Sequence, residues 1–491
     1  MGSGSSGRRA SHAYDSIFCP AGSFKNTAVD HKISSRNQSR PVFLWGIPST
    51  TSEFEVGRRK LLRETYLKFY EQIRSDENYL NITNGTLPDH LPNAICSFHE
   101  WTCNANIQTQ CQLIYVFFIG GHESLNKTTI TEMKGRKSNK LLPPPFILDE
   151  SVTDFREMLL PLNSNRAKEF DLSEPGTIYL DIRENQFDGK MTTWFKFASL
   201  IAKEYNSETI SQNNANIEYV FKVDSDLILF TPHFFRWFEG IHREQQVKQG
   251  IPSKKLDAKS SSSIQNRIGS EGNAIPLSSP ARRISRVYGG IEFPATNCVE
   301  NFTFDHPCPL PLSGPSYMSG ELNFVSVDLA TYIASNDCPR EIWTIPHEDV
   351  SLSNYVYSYT HNTGYHKREK SLGWNNGHNE IEDYSITIVG VNESRVLLHP
   401  NMKADWNSVN IRRNPDLLRT GELLWGHSIK RGNHTQYLYW KKDSKFLGFW
   451  ILFIKAYTST GSLTPNKVGD AAKKRMKWRQ RRDSSGVRET R

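Results

Sequence analysis

"YVFKVDSDLILF", from Tyr219 to Phe230, is the stretch on which the reading of this chain turns. Its apolar and aromatic run reads as a buried strand, yet two aspartates separated by one serine interrupt it. Side chains alternate along an extended chain, so Asp224 and Asp226 are expected to point to one side. Two carboxylates aimed into one pocket repel each other unless a cation lies between them. Hard ions such as Mg²⁺ and Mn²⁺ prefer oxygen ligands and complete their shells with phosphate oxygens. The pair therefore suits a metal-bridged diphosphate. A plain acidic turn after a strand is the simpler reading of so short a motif.

Outward from that stretch, strands and helices alternate. "PVFLWGIPS" (Pro41–Ser49), "CQLIYVFFIGG" (Cys111–Gly121) and "GTIYLDIR" (Gly176–Arg183) read as buried strands. "VGRRKLLRETYLKFYEQI" carries apolar residues at helical spacing, and "MTTWFKFASLIAKEY" (Met191–Tyr205) reads as a helix. Such alternation predicts an α/β layer around a mostly parallel sheet. In that architecture ligands sit at the carboxyl ends of the strands, where the two aspartates fall. "RVYGGIEFPA" and "GPSYMSGELNFVSVDLATYI" carry turn residues; the second is expected to place Ser319 and Gly320 in a tight turn before a helix from Val327 to Ala334. "PHEDVSLSNYV" reads as a loop entering a helix, where Glu348 and Asp349 would cap free amides. "YSITIVGV" and "SRVLLHP" read as two further strands.

The chain has 491 residues, 37% of them hydrophobic, enough for a substantial core. Residues 1–40 are polar and read as a flexible stem or an expression linker. Residues 41–460 read as the folded domain, interrupted over 240–286 by a Ser/Gly/Pro/Arg-rich inserted loop. Residues 461–491 read as a disordered basic tail; "KKRMKWRQRR" (Lys473–Arg482) supplies much of the net charge of +8. Elsewhere acids and bases are mixed, which argues against a nucleic-acid-binding surface. No signal peptide or membrane span is visible, so membrane attachment is expected only through an N-terminal anchor not present in this chain.

Asn37, Asn81, Asn84, Asn126, Asn301, Asn392 and Asn433 each open an N-x-Ser/Thr triplet, more than composition alone supplies. This points to the secretory pathway. The seven cysteines include no CxxC pair, and their odd number leaves at least one free or paired between chains; Cys96–Cys103 or Cys96–Cys111, and Cys298–Cys308, are the candidate disulfides there.

Four blocks, taken together, resemble the β-1,3-glycosyltransferase family that includes β-1,3-galactosyltransferases, β-1,3-N-acetylglucosaminyltransferases and Fringe-type enzymes. "RRKLLRETY" is similar to the family's RR-x-x-x-RxTW block, with Tyr66 in place of Trp. "YVFFIGG" is similar to its F-x-x-G strand, and "VFKVDSDLIL" to its K-T/A-D-D-D-V/I block, with Ser225 in the middle. "YMSGELNFVSVDLA" followed by "HEDVSLSNYV" is similar to Y-x-SG-x-G-Y-V-x-S and then E-D-V-x-x-G. Glu321, Asn323 and Asn354 depart from these patterns, which bears on sugar identity more than on the reaction.

The resemblance spans roughly Pro41 to Pro400 and implies a GT-A fold, a Rossmann-like, mostly parallel central sheet with helices on both faces. It implies an inverting, metal-assisted hexosyltransferase of the Golgi lumen that uses a UDP-sugar, galactose first and N-acetylglucosamine second. The acceptor would be a hydroxyl of a glycan on a glycoprotein or glycolipid. A non-catalytic glycan-binding relative is the alternative.

Of the residues, Asp226 is the foremost ligand for Mn²⁺ or Mg²⁺, and Asp224 serves the ribose or a metal-bound water. His399 completes the metal set, with His361, His366 and His378 as rivals. Asp349 is the base and Glu348 its fallback. Arg58, Arg59 and Arg63 support the nucleotide, with a structural salt bridge as the other role for Arg63. Lys196, Ser225, Ser319 and Gly320 lie on the donor side. Trp194 is expected in the core, and Trp374 is the better candidate for stacking on a sugar.

Overall fold

The structure is a computed structural model. It describes residues 41–68, 94–103, 111–123, 151–184, 189–209, 216–229, 231–251, 283–293, 317–335, 348–360, 386–391, 396–397 and 424–426. The expectations for residues 1–40 and 461–491, the seven sequons, Cys298–Cys308, Trp374, His361, His366, His378 and His399 lie outside the described residues, as does the side chain of Glu348.

The chain begins with β1 (Val42–Pro48), α1 (Glu53–Glu64), β2 (Ala94–Ser97), α2 (Phe98–Cys103) and β3 (Cys111–His122). It continues through β4 (Thr177–Arg183), α3 (Lys190–Thr209), β5 (Ile217–Val223), β6 (Ile228–Leu229) and α4 (Thr231–Lys248). Then follow β7 (Val287–Phe293), β8 (Tyr317–Ser326), α5 (Val327–Ile333), α6 (Glu348–Thr360), β9 (Thr387–Val391), β10 (Val396–Leu397) and β11 (Trp425–Gly426). The central sheet has eight strands in the order β2-β3-β1-β5-β8-β7-β9, with β4 also paired to β3. Within it β8 alone runs antiparallel to its neighbours. The molecule is thus α/β with an open, mostly parallel sheet.

Burial on both faces explains why β1, β3 and β5 are continuous apolar runs rather than alternating ones. On one face α3, α5 and α6 share a core with Leu44, Val116 and Val220. Trp194 of α3 stacks on Phe118 at 5.1 Å and donates through Nε1 to the Phe221 carbonyl at 3.0 Å, fully buried as expected. On the other face Phe235 and Phe238 of α4 pack on Phe43, and the Arg63 guanidinium of α1 lies over Phe117.

Several sequence expectations change. The predicted inserted loop does not begin at Gly240, because α4 continues to Lys248. Its polar residues His242 and Gln245 are buried, and His242 Nδ1 sits 3.3 Å from the Tyr219 hydroxyl. The far end of that segment is also tied down, since Gln249 exchanges two hydrogen bonds with Ser285. "RVYGGIEFPA" is strand β7 rather than turn: Gly289 leaves room for the Phe324 ring, which a Cβ would meet at 2.2 Å. Ser319 and Gly320 lie within β8, not in a tight turn. Five steps along β8, Met318 to Asn323, face two along β7, so this part of the strand bulges. Conversely, Asp224 to Leu227 is a turn closed by Leu227 N–H on the Asp224 carbonyl at 3.1 Å, so strict strand alternation ends at Val223.

Of the open cysteine pairings, Cys96–Cys111 forms, joining the adjacent strands β2 and β3 across a 15-residue separation. Cys96–Cys103 does not; Cys103 is itself disulfide-bonded. Among the described residues no helix is long and apolar enough to cross a membrane.

Candidate active site

The chain crosses from the β3 side of β1 to the β5 side, so β1 and β5 flank a point where strand order reverses. Crevices outside the carboxyl ends of strands at such a point are where open α/β sheets bind ligands. Ser49 follows β1 there, and Asp224, Ser225 and Asp226 follow β5, all three half-buried.

Lys222, the last residue but one of β5, organises this edge. Its side chain is 2% exposed, and Nζ donates to Asp224 Oδ1 at 2.7 Å and to the Gly320 carbonyl. The same ammonium lies 3.9 Å from Asp349 Oδ1. Asp224 and Asp349, 125 positions apart by their numbers, therefore meet one cation, and each keeps about a third of its side chain exposed (31% and 30%).

Asp349 is held from two sides. It stands in the first turn of α6, whose Ser353 hydroxyl meets the buried Tyr288 hydroxyl of β7 at 2.7 Å. Tyr288 also accepts from Met318 N–H at 3.3 Å, tying β7, β8 and α6 together; burial raises its phenol pKa and keeps it protonated. From below, the carboxylate lies against Gly320, where any Cβ would sit 2.3 Å from Oδ1. That contact, and not a turn, is why residue 320 is glycine. Ser319 Oγ donates to Glu321 Oε2 at 2.8 Å, and the buried Asn323 stands opposite Lys222 in the β5–β8 register.

On the β1 side Ser52 caps α1 by accepting from Glu55 N–H. Glu55, in that first turn, accepts from Ser49 Oγ and from Ser225 Oγ, both at 3.3 Å, and so links the β1 loop to the DSD turn. Arg58 lies beside Glu55 at 3.8 Å with its guanidinium over the exposed Phe54 ring. Arg59 and Arg63 do something different: both grip Glu174, Arg59 through Nε and Nη2 at 3.0 and 2.9 Å. Arg63 thus takes the structural of its two expected roles, and Arg59 joins it, with Nη1 also on Ser49 Oγ and the Thr50 carbonyl. Lys190 donates to the Ser49 carbonyl and to Glu184 Oε1, both at 2.6 Å, while Gly120 N–H holds Glu184 Oε2. Burial raises the Glu184 pKa, and the Lys190 charge opposes it. Lys196 is buried in α3.

Among the described residues no group of three His, Cys, Asp or Glu side chains converges as a metal cage. The carboxylates of Asp224 and Asp226 nonetheless supply hard oxygen donors at a partly open edge, the donor chemistry that suits Mg²⁺ or Mn²⁺ sharing its shell with phosphate.

Sequence reading missed Lys222 and Glu55. The signal for Lys222 was present, a lysine inside an otherwise apolar strand two residues before the acids; Glu55 carried none beyond a helix N-terminus. Neither the family models nor the curated proteins with which the chain was compared match it.

Proposed function

We propose that the protein is an inverting glycosyltransferase of the GT-A type that moves a hexose from a UDP-sugar to a hydroxyl of an acceptor glycan. The observation that carries this reading is the meeting of Asp224 and Asp349 on Lys222 at the carboxyl end of β5. A diphosphate-side acid and a separate carboxylate then stand around one ammonium, and a single in-line displacement needs one of each.

Asp349 accepts the proton of the attacking hydroxyl while that oxygen bonds the anomeric carbon and the bond to UDP breaks. A divalent cation, when bound, neutralises charge on the departing diphosphate. Asp226 is its foremost ligand here, Asp224 serves the ribose or a bound water, and His399 completes the set. Glu55 and Ser49 shape the wall beneath the nucleotide, Arg58 supports it, and Ser225, Ser319, Gly320 and Lys196 line or support the donor side.

A disulfide between adjacent strands and the sequons fit the Golgi lumen, with acceptors on glycoproteins or glycolipids. Galactose is the first donor to test and N-acetylglucosamine the second. UDP release is measured over a panel of UDP-sugars, each with an acceptor glycan mixture, with Mn²⁺ and with EDTA. Release that depends on one donor and stops with EDTA is expected. No release from any donor, with glycan binding intact, would replace this reading with a glycan-binding protein.

A further inference from the structure

We infer that Lys222 is a positioning residue for Asp349, a charge through which the diphosphate side and the acceptor side of the site are held in register. This rests on the glycosyl-transfer reading above and adds to it a residue with no role there.

Lysine is rarely buried unpaired, because its ammonium is strongly hydrated in water. Here the side chain is 2% exposed in the middle of the sheet, between strands β1 and β8. Its Nζ is fixed by a carboxylate just past the end of its own strand, Asp224, and by the backbone of the neighbouring strand, the Gly320 carbonyl. Both anchors are short and one is backbone, so the ammonium has a defined place. The carboxylate of Asp349 stands at the next distance out, 3.9 Å, close enough for charge to orient it and too far for a hydrogen bond. The missing Cβ of Gly320 opens the path between them, since a methyl there would occupy the space of Oδ1 and Oδ2 alike.

A general base has to stand at a defined angle to its substrate, and a displacement of about 1 Å costs on the order of 100-fold in rate. A fixed charge next to a half-exposed carboxylate on a helix terminus supplies that orientation without touching substrate. Lys222 therefore acts through Asp349 and not on the reacting atoms.

The test is a four-protein cycle: wild type, Lys222→Met, Asp349→Asn and the double variant. Each is assayed for kcat and donor KM with Mn²⁺ and for its urea unfolding midpoint. We expect Lys222→Met to lower kcat by at least about tenfold and to change donor KM by less than about threefold. In the Asp349→Asn background the same change should cost less than about twofold more. Equal losses in both backgrounds, or an unchanged kcat, would overturn the inference. If the methionine variant does not fold, Lys222→Gln is read in its place. A wild-type protein with no turnover on any UDP-sugar would sink the reading underneath. The contact itself is then judged by the unfolding midpoints: non-additive shifts keep Lys222 and Asp349 coupled, and additive shifts remove the coupling.

Discussion

Gly320 and Asp349 are fitted to each other, for a Cβ on residue 320 would lie 2.3 and 2.4 Å from the two carboxylate oxygens. Real side chains do not approach so closely, so Gly320→Ala must push α6 or the Asp349 rotamer away. If Asp349 is the base, transfer should fall by roughly 10- to 100-fold, while affinity for UDP, which does not need Asp349, stays within about threefold. Steady-state kinetics beside calorimetric UDP titration separate the two. Activity close to wild type would detach Asp349 from the chemistry.

Arg59 and Arg63, expected beside the nucleotide, both pair with Glu174. Burial alone would raise the Glu174 pKa, but the hydrogen bonds and charges of the two guanidinium groups outweigh it and the net shift is downward. A carboxylate whose folded pKa is lowered adds stability above its unfolded pKa and loses it as pH falls through the folded value. Glu174→Gln should therefore destabilise the fold at pH 7 by about 3 kcal/mol, since it leaves Arg59 largely buried without its countercharge. The difference from wild type should shrink on acidification below the ordinary Glu range, as read from urea midpoints across pH.

Much of the frame was legible because parallel strands buried on both faces write themselves as apolar runs; β1, β3, β4 and the start of β5 show this. What was not legible depends on partners far along the chain. Gly289 looks like a turn residue until the Phe324 ring is seen to need its space. The second half of α4 looks polar until His242 is found under Tyr219. Asp349 could be named from its block, but its meeting with Asp224 required Lys222, whose contacts span 98 and, by residue number, 127 positions. Arg59 and Glu174 are 115 positions apart, a pairing no local pattern encodes.

Glu218 offers a pH test at the other end of β5. The β1–β5 register slips there, with Val42 facing Ile217 and Phe43 facing Tyr219, so Glu218 is the extra residue of a bulge. Burial pushes its pKa up to about 7, and Arg283 offsets this only in part. A carboxylate with a raised folded pKa binds more protons folded than unfolded, so stability falls as pH rises from about 4.5 to 7. Glu218→Gln should remove that slope. The variant should gain on wild type by an amount on the order of 2–3 kcal/mol at pH 8 and by little at pH 4, in denaturant titrations at each pH.

The Cys96–Cys111 bond closes a 15-residue loop between neighbouring strands. Limiting the unfolded chain in this way is worth about 3 kcal/mol by loop entropy. Cys96→Ser and Cys111→Ser should each lower the thermal midpoint by several degrees, and reductant should lower the wild-type midpoint further than that of either variant.

Asp224 and Asp226 should not respond alike when each is neutralised. Asp224 carries a buried ammonium on Oδ1 at 2.7 Å, so much of its charge is already spent before any ion arrives. Asn at 224 keeps a hydrogen-bond acceptor for Lys222, and the lysine retains the Gly320 carbonyl. Asp226 stands half-buried within the turn that Leu227 N–H closes on the Asp224 carbonyl. If it is the cation ligand, Asp226→Asn should weaken Mn²⁺ binding in the presence of UDP by about 100-fold, and Asp224→Asn by roughly tenfold. Electron paramagnetic resonance of free Mn²⁺ reads both without relying on turnover. The reverse order would make Asp224 the ligand, in which case Lys222 has to release it when the ion binds, and the lysine would then be a competitor of the metal and not a brace for Asp349.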